Sequence, residues 1–379
     1  MSNQNAPLTR PLHPSSGADG RPDTVAAPIQ LRNYPAYLAV ALSLFLSILG
    51  LFWLVNSADN PLDNPDSSFG AALTLYPDGS ANAIFFGCSL LALAGSLWLA
   101  LRRPRNSGTG RQEPGIWIGG IAIVALLALM DASILMALGY LPFMVLGPAL
   151  GFDQLGWDVY LSLPLVMQVV LLGTVAAIGK AIAIRLRARL AAGGARPGSD
   201  HSVLLDRAAR RTKFWTKIAM EAPLMYALTR VLMFFCVPGF DFAPFGSPIL
   251  WAGMGLALSA SLGAWLTSGL IRPWGERFPR WMAGFAGRRV PIGLATVSGL
   301  IVAVMIAAAS RTSVLQTFTV GAQGGLVETD WPLITLPMLL WPLWALALAL
   351  ASINYGIRRR LAENPPAPTN QKSLSGESA

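Results

Sequence analysis

The sequence has few charged residues and almost no histidine or cysteine. Asp, Glu, Lys and Arg make up 12% of its 379 residues, whereas a soluble globular protein carries about a quarter. The two histidines, His13 and His201, lie outside the apolar runs, which argues against haem or copper ligation within a membrane. Cys88 and Cys236 lie far apart and match neither a C-x-x-C redox motif nor a zinc site. We therefore expect no metal and no cofactor.

Hydrophobic residues make up 54% of the chain and are gathered in eight apolar stretches. Each stretch is close to the ~20 residues that cross ~30 Å of hydrocarbon, where backbone groups find no water and must form helices. The sequence therefore predicts an all-α, polytopic transmembrane helical bundle of about eight spans. The predicted spans are Ala36 to Val55, Ala81 to Leu101, Ile116 to Leu138, Val159 to Gly179, Ile218 to Val237, Ile249 to Leu270, Val290 to Ala309 and Pro332 to Asn354.

Polar tails precede and follow the predicted bundle. The N-terminal tail is rich in Pro, Ser and Asn and lacks the apolar run of a signal peptide, and the C-terminal tail has a similar composition. Such segments bury too little surface to fold. The predicted organisation is a disordered tail over residues 1–35, a transmembrane domain over 36–355 and a disordered basic tail over 356–379.

The positions of the basic residues predict the orientation. With eight spans, 26 of the 28 Lys and Arg residues fall on one side, and only Arg230 and Arg311 do not. The positive-inside rule makes that side cytoplasmic, so we expect a multi-pass plasma-membrane protein with both termini in the cytoplasm. The net charge of +9 is then a consequence of topology, and we expect no nucleic-acid partner.

Three ionisable residues fall inside predicted spans, where each costs a few kcal/mol and should face the bundle interior. They are Asp131 in span three, and Glu221 and Arg230 in span five. Asp131 and Arg230 lie at similar depths, which predicts a buried ion pair between them, serving to fix helix register, to carry protons or ions, or to bind a ligand in a polar cavity. Glu221, near the cytoplasmic start of its span, is expected to reach Lys217 or an arginine of the inner loops.

Two segments beside the spans have distinct patterns. Tyr140 to Gly156 is apolar but interrupted by Gly and Pro, which predicts a re-entrant or surface-lying segment, either a lid over a pocket or an interfacial cap. Leu204 to Lys217 has a basic face and an apolar face. This predicts an amphipathic helix on the inner leaflet that binds anionic lipids or, alternatively, a cytosolic protein.

The most distinctive stretch is RPWGERFPRWMAGFAGRRVP, from Arg272 to Pro291. Its aromatic and basic residues suit the headgroup region of the inner leaflet, either as a simple aromatic and basic anchor or as a contact for lipid or a partner protein. The residues predicted to make this contact are Arg272, Trp274, Arg277, Arg280, Trp281, Arg288 and Arg289.

RPWGERFPRW followed by GRRVP, with YALTR at Tyr226 to Arg230, resembles uncharacterised multi-pass integral membrane proteins of actinobacteria. The resemblance covers the region from span five to span seven, less than a third of the chain. It implies a membrane-embedded helical fold and transfers no site residues.

The sequence contains no Walker A, G-x-G-x-x-G, H-E-x-x-H or G-x-S-x-G motif. No carboxylate pair, histidine or nucleophile converges at one depth, so an enzyme is the least favoured class. A non-enzymatic binding or accessory membrane protein, which would have a membrane-protein partner or form a homo-oligomer, is favoured. A small-solute or ion transporter or channel is the alternative. A polar tunnel reaching Asp131 would favour transport, whereas a solid apolar core would favour the accessory class.

Overall fold

The computed structural model describes residues 33–64, 71–77, 79–102, 114–146, 148, 160–192, 201–241, 243–280, 284–322 and 337–363. These residues form an all-α fold, as the sequence predicts. The α-helices are α1 (Tyr34–Asn56), α2 (Ala81–Leu101), α3 (Pro114–Leu127), α4 (Ser133–Leu146), α5 (Leu163–Ala192), α6 (His201–Phe234), α7 (Pro248–Ser268), α8 (Ile292–Ala322) and α9 (Trp341–Glu363). A short 3-10 turn, Pro273–Gly275, follows α7.

The helices pack as two halves. Helices α1, α2, α3 and α5 contact one another in the N-terminal half, and α6, α7, α8 and α9 do so in the C-terminal half. Helix α4 packs against α7 of the second half, and α8 supplies Met305 and Ala308 to the core of the first half. These two helices therefore join the halves.

Within the part of the chain that the structure describes, six helical stretches are long and apolar enough to cross a membrane: Tyr34–Asn56, Ala81–Leu101, Leu163–Leu186, Pro248–Ser268, Ile292–Leu315 and Pro337–Glu363. Many large apolar side chains remain exposed on them, among them Ile48 and Leu262. Such a surface fits hydrocarbon as the surrounding solvent and does not fit water. Two of the eight predicted spans take other forms.

Predicted span five is the second half of one continuous helix. Helix α6 runs unbroken through the segment that was expected to lie on the membrane surface. Ala208, Thr212, Thr216 and Ala219 are buried at helical spacing, so the face that packs against α9 begins well before the apolar residues. The basic residues Arg210 and Lys213 point away from that face and are exposed.

Predicted span three is broken. Helix α3 ends at Leu127, α4 begins at Ser133, and the chain between them is not helical. We call residues 128–132 the break site. The expectation of one helix from Ile116 to Leu138 was wrong, because an apolar composition does not reveal where backbone hydrogen bonds are diverted to side chains. Of the segment Tyr140 to Gly156, the part up to Leu146 is helical, and most of the remainder lies outside the described residues.

A hairpin joins α7 to α8 over residues 276–290, and we call it the arginine hairpin. Val290 N–H donates to the Glu276 carbonyl at 2.9 Å, and Phe278 N–H donates to the Arg288 carbonyl at 3.0 Å. The start of the hairpin depends on the 3-10 turn, because a Cβ added to Gly275 would lie 1.8 Å from the Gly269 carbonyl oxygen. The end of the bundle that carries the hairpin is called the hairpin end below.

Gly275→Ala should destabilise the protein by about 1–3 kcal/mol, because the added methyl group meets backbone atoms that cannot rotate away. Gly263→Ala is the matched control, since a Cβ at Gly263 meets nothing within 4 Å and alanine favours a helix. We expect a lower Tm in detergent for Gly275→Ala and an equal or higher Tm for Gly263→Ala. Equal Tm values for both variants would contradict the close approach.

Candidate functional site

At the break site, backbone carbonyls lose their helical hydrogen-bond donors. Side chains from three other parts of the chain donate to them instead. Tyr76, in the loop after α1, donates its hydroxyl to the Ala128 carbonyl at 2.8 Å. Gln168 of α5 donates to the Leu129 carbonyl at 3.4 Å, and Arg311 of α8 donates to the Met130 carbonyl at 2.7 Å. The three successive carbonyls released where α3 ends are therefore all satisfied within the protein, as a water-free interior requires.

Asp131 lies in the break site itself and is 6% exposed. Its Oδ1 accepts a hydrogen bond from the Ser133 N–H at 2.8 Å, an Asx-type contact that starts α4. The carboxylate thus sits at the N-terminus of α4, where the helix dipole favours negative charge. Asp131 also interacts electrostatically with Arg311.

Arg311 is the main residue that the sequence analysis did not place in a site. It follows the predicted end of span seven by two residues and was assigned to an outer loop, but α8 continues past it. Besides Met130, its guanidinium donates to the Ala72 carbonyl at 3.1 Å and to the Tyr76 hydroxyl at 3.4 Å. The sequence feature that could have singled out Arg311 is its position, because it is the only basic residue of the predicted outer loops.

The structure does not bring Arg230 and Asp131 together. Among the described residues, the ion pairs do not include Arg230, whose guanidinium carbon lies 4.8 Å from the centre of the Tyr226 ring. Its Nη1 donates to the Met233 sulfur at 3.3 Å. It is four residues from the end of α6, nearer the helix end than predicted. The predicted Asp131 to Arg230 pair is absent: Asp131 instead accepts a hydrogen bond from the Ser133 N–H and interacts electrostatically with Arg311.

Glu221 lies on the exposed side of α6. The neighbouring Ala222 and Pro223 are buried instead, so the packing face of α6 passes beside Glu221. A carboxylate in this position does not contribute to the interior network of the bundle.

Side chains of α9 hold the arginine hairpin in place. Tyr355, which is fully buried, donates its hydroxyl to the Gly275 carbonyl at 2.8 Å. Arg358 forms an ion pair with Glu276 at 2.7 Å. Arg359, 6% exposed, donates to the Tyr355 hydroxyl at 2.9 Å and to the Val290 carbonyl at 3.4 Å. Both ends of the hairpin are thus tied to one helix.

A cavity of about 420 Å³ lies between the hairpin, the start of α6 and the end of α9. It is lined by Leu205, Asp206, Ala209, Glu276, Arg277, Arg289, Arg358, Arg359, Ala362 and Glu363. Glu276 and Glu363 are paired with the α9 arginines. Arg277 and Arg289 are exposed, and no ion pair holds either of them within the described part of the chain. These two arginines are therefore available to a ligand.

The other predicted headgroup contacts are distributed around the same segment. Arg272, Arg280 and Arg288 are exposed and lie outside the cavity lining. Trp274 is half-buried because its ring stacks on the Trp265 ring, with 4.9 Å between the ring centres, and covers Gly269. Trp281 lies outside the described residues.

Comparison with protein-family models, with curated protein sequences and with solved structures finds no match. The functional argument therefore rests on the two sites described above.

A double-mutant cycle tests the contacts of Asp131. Asp131→Asn and Arg311→Met should each be destabilising, because each removes a charged partner of buried backbone groups, and a hydrogen bond to a charged group contributes about 1.5–3 kcal/mol. The loss of unfolding free energy in the double variant should be smaller than the summed losses of the two single variants, by about 0.5–3 kcal/mol. The measurement is unfolding in mixed micelles of increasing SDS content.

The matched control cycle combines Asp131→Asn with Arg230→Gln. Because these two residues share no partner among the described residues, their effects should add to within about 0.5 kcal/mol. Coupling between Asp131 and Arg230, or additivity between Asp131 and Arg311, would contradict the arrangement of the break site.

Proposed function

We propose that this chain is a non-enzymatic accessory protein of the plasma membrane that binds anionic lipid headgroups at its hairpin end, with that end in the cytoplasm. Its apolar helices identify a multi-pass membrane protein. The observation that carries the proposal is the cavity beside the hairpin, where Arg277 and Arg289 have no carboxylate partner among the described residues.

The chemistry of this cavity favours a phosphate-bearing headgroup. Guanidinium groups bind phosphate through parallel N–H donors, and the cytoplasmic leaflet is the anionic one. The hairpin is held by Tyr355, Arg358 and Arg359, so a bound headgroup would meet a preorganised surface. Preorganisation reduces the entropy lost on binding and raises affinity.

The break site supports the accessory class over transport. An ion or substrate site within a broken helix needs free ligands, whereas the carbonyls of Ala128, Leu129 and Met130 are taken by the protein's own side chains. Asp131 is buried and bonded to Ser133. The break site is accordingly interpreted as a structural joint.

Arg277→Gln with Arg289→Gln should weaken binding of phosphatidylglycerol, relative to phosphatidylcholine, by about tenfold or more, since a guanidinium hydrogen bond to a charged phosphate contributes about 1.5–3 kcal/mol. The protein is reconstituted in nanodiscs of each lipid, and retained lipid is counted by native mass spectrometry. Arg272→Gln with Arg288→Gln removes the same charge from exposed positions outside the cavity, where salt screens the attraction, and should lower binding less than about threefold at physiological ionic strength. Equal losses in the two double variants would overturn the headgroup site.

A small-solute or ion transporter is the second candidate, and one observation favours it. The Oε1 of Gln168 is buried without a hydrogen-bond donor among the described residues, beside the carbonyl that Gln168 Nε2 binds. Discontinuous helices with spare oxygen ligands hold ions in transporters. A solute-flux comparison of cells with and without the protein tests this candidate. A flux that Gln168→Leu abolishes would favour transport over the accessory class.

A further inference from the structure

The first half of α6 continues past the level at which two neighbouring helices end. Trp215 of α6 packs against the small cluster of Leu270, Ala351 and Tyr355, and Ala295 packs against the same cluster. Leu270 lies two residues past the end of α7, and Ala295 lies in the first turn of α8. The level of Trp215 is therefore the level at which α7 ends and α8 begins.

Residues 201–214 of α6, which we call the projecting segment, extend beyond that level. His201 lies 14 residues before Trp215 in the same unbroken helix, a distance of about 21 Å at ~1.5 Å per residue. The headgroup layer adds only about 5–8 Å to each side of the hydrocarbon. The end of α9 supports the segment, because Glu363 lines the same cavity as Leu205 and Ala209. Most of the projecting segment therefore stands in the aqueous phase and does not lie along the leaflet.

One face of the projecting segment combines apolar and basic side chains. Positions i, i+1, i+4, i+7, i+8 and i+11 share one side of a helix. Counted from residue 203, these positions hold exposed side chains, which we call the basic face: Val203, Leu204, Arg207, Arg210, Arg211 and Phe214. The exposed fractions of Val203, Leu204 and Phe214 are 41%, 38% and 57%. The face points away from the buried Ala208 and Thr212, so it is not used in packing the bundle.

The basic face carries three positive charges and has one carboxylate beside it. Asp206 lies 3.7 Å from Arg210, but both side chains are more than 70% exposed, so this pair contributes little. Within the described part of the chain, no ion pair includes Arg207 or Arg211. A surface that is both apolar and positive complements a partner that is both apolar and negative.

We propose that the basic face is a docking surface for an acidic amphipathic helix of a soluble protein, in the water on the hairpin side of the membrane. Such a helix would place apolar side chains against Val203, Leu204 and Phe214 and carboxylates against the three arginines. Of the two partners that the sequence allows for this segment, lipid or protein, the projection favours protein. The face shares no residue with the cavity lining, so the proposal does not rest on the headgroup site.

Neither a second copy nor the chain's own polar segments fit this face. In a symmetric dimer one patch meets its own copy, so the three arginines would face like charges. The segments outside the described residues that are predicted on this side, 1–32, 103–113, 193–200 and 364–379, contain eight Lys or Arg and five Asp or Glu. They are net basic as well. The acidic helix must therefore come from another protein.

The test measures binding of a labelled peptide to the full-length protein in phosphatidylcholine nanodiscs, by fluorescence anisotropy at physiological ionic strength. The acidic probe is a synthetic heptad-repeat peptide with Leu at positions a and d and Glu at e and g, and a matched basic peptide has Lys in place of Glu. Empty nanodiscs correct for partition into lipid. We expect micromolar binding of the acidic peptide and at least about tenfold weaker binding of the basic one. No binding of the acidic peptide, or equal binding of both, would overturn the docking surface.

Charge reversal locates the peptide on the protein. Arg207→Glu with Arg211→Glu should weaken the acidic peptide by about tenfold or more and should allow the basic peptide to bind. Leu204→Gln should weaken the acidic peptide by about threefold, because it removes apolar contact. Arg272→Glu with Arg288→Glu makes the same charge change at exposed positions of the hairpin end and should alter binding less than about threefold. Equal losses in the two charge-reversed variants would overturn the proposal.

The variant Arg277→Gln with Arg289→Gln separates this surface from the headgroup site. It should lose retained phosphatidylglycerol and bind the acidic peptide as the parent does, because neither arginine belongs to the basic face. Loss of the peptide in this variant would place the peptide in the cavity and overturn the docking surface.

A spin label tests whether the basic face stands clear of the lipid. The label is placed at Val203→Cys, which retains all three arginines, with Cys88 and Cys236 replaced by Ala, in nanodiscs that contain phosphatidylserine. It should collide more with a water-soluble nickel complex than with oxygen, whereas a label at Leu262→Cys, on the exposed side of α7, should do the opposite. A label at 203 that is protected from nickel would place the face in the headgroups, make anionic lipid its partner and overturn the proposal.

Discussion

The constraint on which this structure depends is that backbone carbonyls within a bilayer have no water to bind. A helix satisfies them internally, and any interruption of a helix releases carbonyls that must find other donors. This protein supplies those donors from long polar side chains of distant segments, as Arg311 does at the break site and Arg185 does at the end of α2. Charged residues inside the bundle are therefore mainly partners of the backbone, and only secondarily partners of each other.

That principle explains why the sequence predicted the fold well and the site poorly. Apolar stretches of the right length are a property of composition, so the boundaries of α2 were predicted to the residue. The break after Leu127 depends instead on contacts with Tyr76, Gln168 and Arg311, which are distant in sequence. Pairing Asp131 with Arg230 by depth assumed that a buried charge needs an opposite charge, whereas in this protein backbone N–H and C=O groups perform much of that role.

The two ends of the bundle treat positive charge differently. At the hairpin end, Arg358 and Arg359 are paired with carboxylates and with Tyr355, which fixes the loop and leaves the neighbouring Arg277 and Arg289 exposed. At the opposite end, Arg311 donates to two carbonyls, whereas the hydrogen bond of Arg230 among the described residues is to the Met233 sulfur. Arginine thus holds segments together where carboxylates and carbonyls accept its hydrogen bonds, and it stays exposed at the hairpin where they do not.

The contact between Arg311 and the break site also sets an order for biosynthesis. A ribosome adds about 5–20 residues per second, so Arg311 follows Asp131 by roughly 10 to 40 seconds. During that interval the Met130 carbonyl lacks its final donor, and neither 14-residue helix beside the break is long enough to cross the hydrocarbon alone. The N-terminal half therefore lacks the Arg311 hydrogen bond to its break site until α8 has been synthesised.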